Sequence, residues 1–83
     1  MKKREALRIM KKEKLSRKNF FSDLFTQTEE AVIMKNGRNY EVYILGERGT
    51  KEGLKVYDNI EAALDDYIKR LRGERELIEF LNG

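Results

Sequence analysis

The fold is decided by residues 31–45, AVIMKNGRNYEVYIL, where two runs of strand-forming residues flank the dipeptide Asn36-Gly37. Asn-Gly is the strongest short-range signal for a β-hairpin, because both residues tolerate a positive φ angle. The first run predicts a strand over residues 31–35, and the second predicts a strand over residues 39–45. The side chains of the second strand alternate between two faces, one with Tyr40, Val42 and Ile44 and the other with Glu41, Tyr43 and Leu45.

Downstream of the hairpin, the sequence predicts a loop and a third strand. Three glycines fall within residues 46–53, a density that is typical of a loop. Residues 54–57 are then expected to form a short strand, and three consecutive strands are most simply arranged as an antiparallel meander. An edge strand of such a sheet can pair with a second copy or with a partner strand, so the oligomeric state stays open.

A carboxy-terminal helix follows the sheet and has the best-defined pattern in the sequence. Asp58 and Glu61 have the spacing of a capping box, with Asp58 as the amino-terminal cap. Gly73 suits the end of this helix, so residues 74–81 are expected to form a short further helix, either separate or on the same axis. The apolar face of the main helix consists of residues at spacings of three and four: Ile60, Ala63, Leu64, Tyr67, Ile68 and Leu71.

The amino-terminal segment predicts a basic helical arm. Residues 4–14 are rich in good helix formers and have a narrow apolar face. Ser16 is placed to cap a second helical turn, whose apolar side chains are Phe20, Phe21, Leu24 and Phe25.

The expected fold is therefore α+β, in the order α-β-β-β-α. A three-stranded antiparallel meander is expected to carry the amino- and carboxy-terminal helices on one face. We expect a single domain over residues 1–83, made of the basic helical arm (1–28), the sheet (30–58) and the carboxy-terminal helix or helices (59–82).

Composition narrows the function further. The sequence has no Cys and no His, which excludes a disulfide framework, a thiolate metal site and histidine acid–base chemistry. The longest apolar run, residues 31–34, is far shorter than the ~20 residues that span a bilayer, so we expect a soluble cytoplasmic protein that does not enter the membrane.

The charge is unevenly distributed along the chain. Residues 1–18 carry nine Lys or Arg against two Glu, whereas residues 19–83 carry nine against thirteen Asp or Glu.

The remaining side chains do not form a recognisable catalytic pattern. Ser16 and Ser22 lie near lysines, but a Ser–Lys pair needs a buried lysine, and this segment is the most polar of the chain. Asp65 and Asp66 would point about 100° apart on a helix, and Glu61 with Asp65 is more simply an exposed acidic face. The glycine loop lacks the Gly-Lys-Ser/Thr ending of a phosphate-binding loop. We therefore expect a non-enzymatic protein without a cofactor or a bound metal.

Nucleic acid is one binding hypothesis. A basic arm on an acidic body suits nucleic acid, an anionic surface or an acidic protein, and it is equally consistent with a solvated helix face. The order α-β-β-β-α is also that of double-stranded-RNA-binding domains, but these place lysines at the start of the last helix, where this chain has Asp58 and Glu61. That family is excluded. Any phosphate contacts are expected from the arm: Lys11, Lys12, Lys14, Arg17 and Lys18.

A protein partner is the other binding hypothesis. Tyr43 is expected on the outer face of the sheet, beside the loop that contains Glu47 and Arg48, and Tyr and Arg are enriched among residues that dominate interface energies. The alternative is internal, with Tyr43 packing across the sheet and Arg48 forming an ion pair with a carboxylate such as Asp58. The residues alone leave both possibilities open.

Four short motifs occur in a fixed order along the chain: YEVY at residues 40–43, ERG at 47–49, VYDN at 56–59 and EAAL at 61–64. This succession, over about residues 30–72, resembles a family of small bacterial immunity proteins from polymorphic toxin systems. The resemblance implies a stoichiometric inhibitor that masks one toxin domain and has no enzymatic activity of its own. A phage-encoded inhibitor of a host defence complex is an alternative with the same composition. The residues expected to face the partner are Tyr43, Glu47, Arg48, Glu61, Asp65 and Asp66.

Overall fold

The computed structural model describes residues 1–16, 19–22 and 28–82, except for the side chains of residues 78, 79 and 82. The strands form one antiparallel sheet in the order β1-β2-β3, and both helices pack against one face of it. The predicted α+β class, the α-β-β-β-α order and the meander are confirmed. The elements are α1 (Lys3–Lys12), β1 (Ala31–Asn36), β2 (Asn39–Leu45), β3 (Lys51–Tyr57) and α2 (Ile60–Asn82).

The hairpin between β1 and β2 closes with a two-residue turn that lies one residue later than the Asn-Gly signal suggests. Asn36 is the last residue of β1 and pairs with Asn39, so the turn consists of Gly37 and Arg38. Gly37 has a φ of +63°, whereas Arg38 is not among the residues with positive φ. Glycine with positive φ at the first turn position is the pattern of a type II′ hairpin turn.

β3 begins at Lys51, so it is longer than the strand predicted over residues 54–57, and the preceding loop is confined to residues 46–50. Gly53 does not interrupt the strand. It has a φ of +61° and lies where the register between β2 and β3 shifts. A bulge of this kind accommodates an extra residue and increases the local twist, which is why a glycine in this position is compatible with a continuous strand.

α2 begins one residue later than the sequence predicts, and of the two arrangements left open at Gly73 it has the continuous one. Oδ1 of Asn59 accepts a hydrogen bond from the N–H of Ala62 at 2.8 Å, so Asn59 is the cap and the predicted capping box of Asp58 and Glu61 is wrong. Gly73 does not end the helix, which continues without interruption for 23 residues. That length is about 34 Å, whereas a seven-residue strand spans about 23 Å, so α2 extends beyond the sheet.

The core lies between the helices and the inner face of the sheet. The predicted apolar face of α2 is confirmed, because five of its six residues are buried and Ile60 packs against them. The alternation predicted for β2 is also confirmed, since Val42 belongs to this core and Tyr43 projects from the opposite, outer face. Side chains from α1, β1 and β2 complete the core: Ala6, Met10, Ala31, Ile33 and Val42.

Residues 19–22 are not helical, so the predicted second helical turn is wrong over these residues; Leu24 and Phe25 lie outside the described residues. Phe20 instead forms a parallel bridge with Ile33 of β1. The N–H of Ile33 donates to the carbonyl of residue 19 at 3.2 Å, and its carbonyl accepts from the N–H of residue 21 at 3.0 Å. The physical reason is that the open edge of β1 has backbone groups that need partners, and this segment supplies them.

α1 lies beside α2 and runs in the same direction. The amino group of Met1 is 4.0 Å from Oδ1 of Asp65, near the start of α2. Further along α2, Arg72 holds Glu13 with two hydrogen bonds, Nε to Oε1 at 2.8 Å and Nη2 to Oε2 at 2.5 Å. The hydrogen bonding from Arg72 lowers the pKa of Glu13. These contacts connect both ends of α1 to α2.

Candidate protein-binding surface

The residues predicted to face a partner lie on two sides of the sheet. Tyr43 projects from the outer face, and Glu47 and Arg48 lie in the loop between β2 and β3. Glu61, Asp65 and Asp66 lie on α2, in the helical layer that covers the inner face. The structure therefore divides the predicted set into an outer-face group and a helical group.

The outer face of the sheet has exposed aliphatic side chains on β3. Val56 lies opposite Glu41 in the strand register, and Leu54 is two residues earlier, so both project from the outer face. Val56 is 54% exposed and Leu54 is 43% exposed, although valine and leucine are usually buried. Tyr43, on the neighbouring strand, is largely buried. The exposed apolar area is therefore made by β3 more than by Tyr43.

An ion pair fixes the surroundings of Tyr43. Nζ of Lys51 donates to Oε1 of Glu41 at 2.8 Å, and Nδ2 of Asn36 donates to Oε2 at 3.1 Å. These hydrogen bonds, with the one from Lys51 first, lower the pKa of Glu41, and Glu41 in turn raises the pKa of Lys51. The Lys51 ammonium also lies 5.3 Å from the centre of the Tyr43 ring, within the range of a cation–π contact. Tyr43 thus has a place within the sheet that does not require a partner.

An acidic cleft of about 550 Å³ opens at the loop between β2 and β3. It is lined by Glu47, which the sequence predicts, and by Glu29 and Glu52, which the sequence prediction missed. A hydrogen bond with Glu47 raises the pKa of Glu29, because it requires one of the two carboxyl groups to hold a proton. Arg48 lines the same cleft and, within the described part of the chain, forms no ion pair with Asp58 or with any other carboxylate.

We use the name sheet–loop surface for the outer-face group, the exposed aliphatic side chains of β3 and the carboxylates that line this cleft. The aliphatic members could have been found from the alternation of side chains along β3. Nothing in the local sequence marks Glu29, because its position depends on a backbone hydrogen bond between its N–H and the carbonyl of Leu45 at 2.6 Å. The members of the surface are Tyr43, Leu54, Val56, Glu29, Glu47, Arg48 and Glu52.

One member of the helical group, Asp66, is engaged within the fold. Asp66 accepts hydrogen bonds from Oη of Tyr57 at 2.7 Å and from Nε of Arg70 at 3.0 Å. Burial acts to raise the pKa of Asp66, but the hydrogen bonds from Arg70 and Tyr57 outweigh it and hold that pKa below its usual value. Arg70 also donates from Nη2 to the carbonyl of Gly53 at 2.8 Å, which connects α2 to β3. Asp66 therefore has a structural role, whereas the other two acidic residues of this group are exposed.

The residues predicted to contact nucleic acid are described only in part. Lys11 and Lys12 are exposed in the last turn of α1. Lys14 is exposed just beyond the helix and has a φ of +55°. Arg17 and Lys18 lie outside the described residues.

Metal binding, membrane spanning and similarity to known proteins are the remaining sources of information on function. Within the described ranges, no group of three or more Asp or Glu side chains is arranged to hold a metal ion. None of the helices in those ranges is both long and apolar enough to cross a bilayer. Protein-family models, curated proteins and solved structures contain no match to this sequence. Function is therefore inferred from the surfaces themselves.

Proposed function

We propose that this protein is a non-enzymatic inhibitor of the immunity type, which binds and masks a toxin domain through the sheet–loop surface. The observation that carries the proposal is the pair of exposed aliphatic side chains, Leu54 and Val56, on the strand that directly follows the loop of the acidic cleft. An apolar centre with a charged rim is the usual anatomy of a protein–protein interface. The succession of motifs over about residues 30–72 supports the same class of function.

The apolar part of the surface supplies affinity when it is covered. Full burial of a Val or Leu side chain is worth about 1.5–3 kcal/mol. Since each of these two side chains is already about half buried, covering the rest contributes about 1 kcal/mol each. Side chains on a hydrogen-bonded strand also lose little conformational freedom on binding, because the sheet already holds their backbone.

The carboxylates of the acidic cleft favour a basic partner. Glu29 and Glu47 line the same cleft and Glu47 raises the pKa of Glu29, so a Lys or Arg from a partner would replace a contact between like groups with ion pairs. The carboxylates of the cleft would also accelerate association with a positively charged surface. A toxin with a basic nucleic-acid-binding site fits this chemistry, because the carboxylates would occupy the positions of phosphate groups.

The test is calorimetric titration of the purified protein against the toxin domain encoded beside its gene. We expect a complex of one molecule with one. The double variant Leu54→Glu, Val56→Glu should bind at least tenfold more weakly, which corresponds to about 1.4 kcal/mol. Both side chains are exposed, so the variant should fold. Tyr43→Ala is unsuitable, because truncation of a largely buried ring would test folding as well as binding.

Leu77→Glu is the matched control, since Leu77 is 59% exposed on α2 and is not part of the sheet–loop surface. It should bind the toxin domain as the wild type does. Absence of a complex would contradict the immunity function, and an equal loss in the two variants would contradict the assigned surface. A complex with a defence effector and not with the toxin domain would favour the alternative of a phage-encoded inhibitor.

A further inference from the structure

The solvent side of α1 carries four cations in a row. α1 packs on the body of the protein through Ala6 and Met10, both of which are fully buried. At about 100° per residue, the opposite side of the helix carries side chains at positions i, i+4, i+7 and i+8, all of them exposed. We call these four the α1 stripe: Arg4, Arg8, Lys11 and Lys12.

The fold does not neutralise the α1 stripe. On β3 and α2, three basic side chains are bound by carboxylates, in the pairs Lys51–Glu41, Arg70–Asp66 and Arg72–Glu13. Across the residues that the structure describes, no hydrogen bond or ion pair involves a side chain of the stripe.

The charge arrangement of the stripe is also unfavourable to the helix. Arg4 and Arg8 are four residues apart, as are Arg8 and Lys12, and like charges at this spacing repel each other. A row of cations that lowers helix stability and has no partner in the fold indicates a ligand outside it.

We propose that the α1 stripe binds the phosphate backbone of nucleic acid, independently of base sequence. A membrane is a poor fit, because an interfacial helix inserts its apolar face into the lipid and the apolar face of α1 is buried in the core. A protein partner is a poor fit, because an interface has an apolar centre, and at the border of the stripe Leu7 is only 36% exposed. A row of phosphates needs only cations.

The test is fluorescence anisotropy with a short labelled DNA duplex of mixed sequence, in 50 mM salt. Four phosphate contacts predict a slope of about −3.6 for log K against log salt, so affinity should fall about 150-fold between 50 and 200 mM salt. Duplex RNA and single-stranded DNA, as separate probes, identify which nucleic acid is preferred. Absence of binding to all three at 50 mM salt would overturn the proposal.

Two variants with the same loss of net charge separate the stripe from general electrostatics. The variant Arg4→Gln, Arg8→Gln, Lys11→Gln, Lys12→Gln should lose measurable binding and should melt at a higher temperature, because the repulsion within α1 is removed. A merely structural stripe would give a lower melting temperature. The control variant neutralises four exposed cations elsewhere and should keep binding within a fewfold of the wild type: Lys35→Gln, Arg38→Gln, Lys55→Gln and Lys69→Gln.

Three further outcomes would overturn the proposal. One is an equal loss of binding in the two variants, which would show an effect of net charge alone. Another is full binding by the stripe variant. The third is binding to vesicles that contain phosphatidylserine without binding to nucleic acid. None of these outcomes affects the proposed protein-binding function, because the sheet–loop surface is unchanged in both variants.

Discussion

At the scale of single residues, two polar atoms are buried within the described part of the chain without a hydrogen-bond partner. These are Oη of Tyr67 and Oε1 of Glu74, about two helical turns apart on α2. Burial raises the pKa of Glu74, and the nearby carboxyl group of Glu30 raises it further, against the opposing effect of a hydrogen bond from the backbone of Ala31. The folded state therefore disfavours the charged form of Glu74.

Glu74→Gln should stabilise the protein at neutral pH. In the wild type, a carboxyl group whose pKa is raised by folding costs stability when it is ionised in both states. The gain in the variant should therefore shrink as the pH falls through the raised pKa of Glu74, and it should vanish below the unfolded value of 4.5. The measurement is the free energy of unfolding in urea at neutral pH and at a pH below that value.

Glu76→Gln is the control for this measurement, because Glu76 is exposed on the same helix. It should leave the free energy of unfolding nearly unchanged at both pH values, as is usual for surface substitutions. A gain in Glu74→Gln that is the same at both pH values would show that burial of the charge is not its cause.

At the scale of secondary-structure elements, Gly73 lies inside α2 and not at its end. A Cβ added to Gly73 would have no other atom within 4 Å. Gly73→Ala should therefore raise the free energy of unfolding by about 0.5–1 kcal/mol, because alanine loses less backbone entropy in a helix. Urea denaturation measures this change. The control is Gly53→Ala, which should destabilise the protein because Gly53 has a φ of +61°. Destabilisation by Gly73→Ala would contradict an uninterrupted α2.

The elements that could be predicted from the sequence are those that depend on spacing along the chain. The two faces of β2 and the apolar face of α2 belong to this class. The helix cap could not be chosen correctly, because Asp58 and Asn59 are both good capping residues and differ by one position. Gly53 and Gly73 were equally ambiguous, since neighbours distant in sequence determine whether a glycine ends an element or lies within it. Phe20 pairs with β1 for the same reason, because the open edge of that strand is a tertiary feature.

At the scale of the whole molecule, the sequence predicted the charge separation but only part of each surface. The basic arm is evident from composition, yet the row formed by Arg4, Arg8, Lys11 and Lys12 appears only once the buried side of α1 is known. The cleft likewise combines Glu47 with carboxylates that lie far from it in sequence or across a loop. The result is a molecule whose exposed aliphatic pair, Leu54 and Val56, lies on the face of the sheet opposite the helical layer that contains α1. The cleft lies at the loop end of the sheet, where Glu29 also lines a second cavity together with Lys14.

This separation predicts how the two surfaces influence each other, given the proposed toxin partner. Leu54 and Val56 lie on the face of the sheet opposite α1, and repulsion across the molecule is screened more strongly at 0.15 M salt, where the Debye length is about 8 Å, than at 0.01 M, where it is about 30 Å. The stripe variant should therefore bind the basic toxin domain more tightly than the wild type does, because the four cations no longer repel it, and the gain should be larger at 0.01 M salt than at 0.15 M. Calorimetric titration at the two salt concentrations measures both affinities. A lower affinity of the variant at either salt concentration would contradict this prediction and would mean that α1 contacts the toxin directly.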